Sequence, residues 1–250
     1  MDRLSVRKRT AVVASLLGAA LIAWIVSVQR MRGMDAGPGT DLGALGWFVG
    51  IWVTMMAAMM LPSTAPAVLM FARVRRGAPT WLFVLGYLLA WTGYGLVAFA
   101  VYRGIRAAAP AFLAWDERGP WVAGGALMAA GLYQLTPLKT LCLRHCRSPL
   151  HLLVRGRPGR LGAVHMGIEH GGFCVGCCTG LMVALFALGV MSLFWMAVVA
   201  AAILVEKTLP GGEAFARLLA VVHVALGIWV AVAPGSVPGL EQPAPMQMRQ

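Results

Sequence analysis

Thirty-five consecutive residues, 171–205, carry no charge. Wound as one α-helix they would reach about 52 Å, far past the roughly 30 Å apolar core of a bilayer. Two shorter spans joined near Gly189 fit better, over residues 171–188 and 190–205. The rival division is a single span from about residue 181 to 205. Five further apolar runs lie at about 11–28, 45–71, 81–102, 121–136 and 214–233. The weak alternation of membrane β-strands is absent. The expected fold is therefore all-α: a polytopic helical membrane protein with seven transmembrane helices, or six under the rival division. Only 12% of residues are charged and 60% are hydrophobic, against about a quarter charged in soluble domains.

The first run is long for a signal peptide, and no small-residue cleavage site follows it, so it reads as an uncleaved span. Pro62 and Pro66 each remove a backbone donor from the second run and predict a kink there. Tryptophans and tyrosines near the ends of 81–102 suit interface anchors. Residues 234–250 read as a disordered Pro-rich tail, leaving 1–233 as one transmembrane domain.

The net charge of +12 does not imply nucleic acid, because the basic residues sit in short connections between apolar runs. With seven spans, 14 Lys/Arg fall on the side of the N-terminus and 6 on the other. That bias predicts a cytoplasmic N-terminus and a cytoplasmic basic loop over 137–162. The partner expected from composition is the lipid bilayer.

Five cysteines cannot all pair within one chain, and on the cytoplasmic side they would be reduced thiols. Cys142 and Cys146 stand four apart, on one face if helical. His145 lies between them, and Arg144 and Arg147 are placed to lower the thiol pKa values. A second group gathers His165, Glu169, His170, Cys174, Cys177 and Cys178 within fourteen residues. If helical, His170, Cys174 and Cys178 form one stripe. If the glycines loosen the backbone, Cys174 and Cys177 form a metal knuckle or redox pair. Both groups are expected at the inner surface, at the ends of the spans that flank the basic loop. Glu206 and Lys207 are expected in water at the same surface, and His223 as a satisfied buried histidine.

Met55, Met56, Met59 and Met60 make two i, i+4 pairs in the second run. Thioether and thiolate donors suit Cu(I), whereas zinc makes no use of methionine. Cu(I) is therefore favoured over Zn(II), with a structural zinc site the alternative. No nucleotide-binding, His-Glu-x-x-His or Ser-His-Asp pattern is present, and 250 residues leave no room for the soluble domains of an ATP-driven pump.

The chain resembles an uncharacterised bacterial family of predicted metal-binding integral membrane proteins, defined by a domain of unknown function (2182). The resemblance is carried by Met56–Ala57–Ala58–Met59–Met60–Leu61–Pro62–Ser63, and by Ala130–Gly131–Leu132–Tyr133–Gln134–Leu135–Thr136–Pro137–Leu138–Lys139 leading to Cys142, Cys146, Arg147 and Pro149. It continues through Cys174–Val175–Gly176–Cys177–Cys178, Gly189–Val190–Met191, Trp195–Met196, Glu206–Lys207 and Pro210. Thr179 and Ser192 depart from it, where the family usually has Trp and Asn. It covers about residues 45–232 and implies a metal, often suggested to be copper, and a multi-pass protein of the bacterial inner membrane. The function expected is Cu(I) handling rather than catalysis, with the cysteines as ligands, His145 and His170 as auxiliaries, and a metal-donor or metal-acceptor protein as partner. A thiol-disulfide oxidoreductase is the alternative.

Overall fold

A computed structural model describes residues 3–32, 42–75, 79–108, 115, 118–149, 156 and 159–240. These residues form eight α-helices: α1 Arg3–Met31, α2 Leu45–Val74, α3 Thr80–Ala108, α4 Gly119–Tyr133, α5 Pro137–Arg147, α6 Gly159–Leu188, α7 Leu193–Thr208 and α8 Gly212–Val232. A 3-10 turn, Pro234–Ser236, follows. Among the described residues there is no strand. The helical expectation therefore holds, and α2 runs unbroken through Pro62 and Pro66.

The span number does not hold. Among the described residues five helices, not seven, are long and apolar enough to cross a membrane: α1, α2, α3, α6 and α8. The runs at 121–136 and 190–205 fold into α4, with 15 residues, and α7, with 16. These reach about 22 and 24 Å, short of a bilayer core. Local chemistry sets both lengths. After α4 the chain turns at Gln134, and Thr136 caps a new helix by accepting from the Lys139 N–H, with Pro137 in its first turn. Before α7, Gly189 adopts φ 105°, a conformation open to glycine, and Ser192 accepts from the Trp195 N–H. The break near Gly189 thus lies where the uncharged run was divided, but α6 begins at Gly159, well ahead of residue 171.

Helix α6 is central, packed against α3, α4, α5 and α7, while α1 lies on α2 and α4 on α8. Small residues permit the tightest crossings. A Cβ on Gly86 of α3 would overlap the Val164 carbonyl oxygen, and one on Gly167 of α6 would overlap that of Phe83. Such close backbone approach is how helices associate where apolar burial gives little drive. At the C-terminal side Val237 is buried in the main core, so residues 234–240 pack against the bundle. Residues 241–250 of the expected tail lie outside the described residues.

Candidate metal centre

Helix α5 is short and lies along α6. Its Cys142 and Cys146, one helical turn apart, turn toward α6. Cys174, Cys177 and Cys178 share one face of α6, since i, i+3 and i+4 coincide on a helix. Of the two conformations open to this segment, the structure adopts the helical one. The two cysteine groups are therefore one site. The sulfurs of Cys146, Cys174 and Cys177 all lie within 4.8 Å of one another. Cys177 Sγ is 3.6 Å from Cys146 Sγ and 3.6 Å from Cys178 Sγ. Three thiolates at about 2.3 Å from one ion would stand about 3.8 to 4.0 Å apart, in tetrahedral or trigonal arrangement. Only small adjustments separate the observed sulfurs from that geometry. All five cysteines are free thiols.

Cys142 sits beside the cluster, its sulfur against Gly176, where a Cβ would meet it at 2.6 Å. Tyr133 fixes the same turn of α6 by donating to the Gly176 carbonyl at 2.6 Å. Burial pushes the Cys142 thiol above its ordinary range, with Lys139 acting against it. Burial likewise pushes the Cys146 thiol well above its ordinary range. The expectation that Arg144 and Arg147 lower these values is not met, because both guanidiniums are engaged elsewhere. Arg144 pairs with Glu213 of α8 at 2.7 Å. Arg147 donates to the carbonyls of Glu206 and Leu209, at 2.9 and 2.7 Å, and so ties α5 to the end of α7.

The cation at the sulfurs is Lys207, whose Nζ donates to Cys174 Sγ at 2.7 Å. Tyr87 of α3 shares a hydrogen bond with the same sulfur at 3.0 Å. Lys139 forms an ion pair with Glu206 at 2.6 Å, both side chains 1% exposed, and also donates to the Cys177 carbonyl. The expected solvation of Glu206 and Lys207 is thus overturned: the end of α7 is folded under α5 and α6, and both residues are buried. A buried charge needs a partner, and here Lys139 and Cys174 supply it. Their identity as a charge pair next to an apolar run was visible in the sequence; their partners on other helices were not.

The remaining candidates separate. His170 is buried, its Nε2 3.2 Å from Thr64 Oγ1 and its ring beside Phe83 and Tyr87. Its Nδ1 has no hydrogen-bond partner among the described residues. His145 stacks on Phe173 at 4.6 Å with Nδ1 2.9 Å from the Leu141 carbonyl oxygen. His165 and Glu169 form an exposed pair at 3.6 Å on α6 and are not part of the thiol cluster. Met55, Met56, Met59 and Met60 are all buried, in the same packed core as Cys142, Cys174, Cys177 and Cys178. His223 is satisfied as expected, with Nδ1 2.6 Å from the Leu219 carbonyl oxygen.

Helices apolar enough for a membrane, wrapped around a buried set of soft donors, define a helical protein with a candidate metal-binding thiol cluster. The chain belongs to the copper chaperone family (PpoB2), which matches residues 49–230 and so takes in all five cysteines and the methionine pairs. No match to the chain was found among curated proteins or solved structures.

Proposed function

We propose that this protein is a multi-pass protein of the bacterial inner membrane that binds Cu(I) and passes it on. Cys146, Cys174 and Cys177 take the ion as thiolates, and Cys178 and Cys142 stand beside them as exchange ligands. The observation that carries the reading is the convergence of three sulfurs from two helices within 4.8 Å. Family membership supports copper as the cargo, and an all-sulfur donor set suits Cu(I). Lys207 supplies a fixed positive charge against the anionic cluster. The buried methionines provide weaker neutral sulfur donors in the same core, as a path for release requires, since an ion held too tightly does not leave. A cytoplasmic opening, the side on which thiols stay reduced, is where a metal-donor or metal-acceptor protein would exchange ions with the cluster. Binding and transfer, rather than catalysis, are the activity.

The test is metal analysis of detergent-purified protein, loaded anaerobically with Cu(I) or Zn(II), beside a variant with all five cysteines replaced by serine. Wild-type protein retaining about one Cu(I) that the variant lacks is the expected result. Equal retention by the two proteins would overturn the reading, and a clear preference for Zn(II) would replace the cargo.

A further inference from the structure

Away from the thiols, α1 and α2 enclose a cavity of about 200 Å³ lined by Val26, Ser27, Arg30, Trp47, Gly50 and Thr54, among others. It opens where α1 ends and α2 begins, at one end of two helices long enough to cross a bilayer. Ser27 is 2% exposed, and its hydroxyl has no hydrogen-bond partner among the described residues. A buried hydroxyl left unpaired costs free energy, so this group is ready for a ligand. The cavity also meets the first turn of α2 at Gly46 and Trp47. The N-cap there is Ala44, which offers no side-chain acceptor. The first-turn N–H groups of this 30-residue helix thus receive no hydrogen bond from the N-cap side chain, and such a terminus attracts anions. Arg30 lines the same cavity with an exposed side chain. Gly46 and Gly50 keep the space open, since a Cβ on either would meet no atom within 4 Å.

A guanidinium, a hydroxyl and a helix N-terminus around one cavity are the donors that hold a phosphate. We propose that this cavity binds the phosphodiester of an anionic membrane phospholipid and so pins the α1–α2 pair at the headgroup level. Lipid is the favoured source because the cavity lies at the end of two membrane-length helices, where Trp47 is half-exposed and Ile25 and Ile22 of α1 present apolar surface for acyl chains. The inference rests on residence in a bilayer, and the two fail differently. A protein absent from the membrane fraction refutes residence, whereas one that is present but retains no lipid refutes only this site.

The experiment is native mass spectrometry of full-length protein in detergent, titrated with phosphatidylglycerol. The comparison set is Ser27→Ala, Arg30→Gln, Gly50→Leu and the non-lining control Arg32→Gln. Wild type and Arg32→Gln should retain one lipid, with apparent affinity falling about tenfold in Arg30→Gln and Gly50→Leu and less in Ser27→Ala. Gly50→Leu fills the cavity without touching any charge, so it decides the matter should Arg30→Gln misfold. Equal retention by all five proteins overturns the proposal. So does displacement of the lipid by millimolar inorganic phosphate, which would assign the cavity to a free anion.

Discussion

The molecule holds sulfur in two places, and their surroundings are opposite. The thiols of α5 and α6 sit among buried charges and donors: Lys207 on Cys174, Tyr87 on the same sulfur, Lys139 on the Cys177 carbonyl and on Glu206. The methionines of α2 lie within the apolar core, where thioethers pack adaptably. A thiolate brings a charge into the interior, and the protein has built its compensation around it. A thioether brings none, and α2 carries no such apparatus. The two regions should therefore respond differently to substitution, by strong loss at one and mild loss at the other.

The largest effect is expected at Lys139→Leu. Removing it leaves Glu206 buried without its ion pair, which costs about 3–5 kcal/mol. Thermal unfolding in detergent should show a marked fall in Tm, mostly recovered in Lys139→Leu/Glu206→Leu, where neither charge remains. No recovery in the double variant would mean that the pair does more than neutralise itself. Next comes Cys177→Ser, which removes the sulfur that lies 3.6 Å from both Cys146 and Cys178. Cu(I) affinity measured by competition with a chromophoric chelator should fall by about a hundredfold, while Cys142→Ser, at the edge of the cluster, should lose about tenfold or less. Equal losses would mean that Cys142 is as much a ligand as Cys177.

Lys207→Met keeps much of the side chain's length and removes the ammonium. A group that supports a ligand in this way is usually worth about 10- to 100-fold in metal affinity, so a fall in that range is expected in the same competition. An unchanged affinity would show that the cation is structural. The smallest effect is expected at Met59→Leu, a nearly volume-conserving change costing less than about 1.5 kcal/mol. Equilibrium Cu(I) binding should stay within about twofold of wild type. A loss as large as that of Cys177→Ser would erase the distinction between the two regions.

The helical class was legible from uncharged runs, because a backbone in lipid must satisfy its own hydrogen bonds and the helix does so within one segment. The break at Gly189 and the candidate donors were legible too, glycine being the residue that accepts φ 105° and sulfur being a donor wherever it stands. Hydropathy miscounted the spans because it measures apolar residues and not where a helix stops. Thr136 with Pro137 ends one run early and Gly189 with Ser192 starts the other late, so the two helices hold only 15 and 16 residues. The position of the cysteines moved for a related reason. With α6 starting at Gly159, Cys174 lies near the middle of the helix and not at its mouth.

The sequence by itself determined that this chain forms long apolar helices, that three thiols and four paired methionines lie on them, and that two more thiols lie in the basic connection between them. Tertiary structure alone decided that Cys146 meets Cys174 and Cys177, that Lys207 rather than Arg144 or Arg147 is their cation, and that Glu206 is buried against Lys139. The physical reason is that periodicity reports which residues share a face of one helix, whereas the register between helices is set by packing. Here that register depends on contacts such as Gly86 on Val164, Gly167 on Phe83 and Gly176 under Cys142, and no single segment records them.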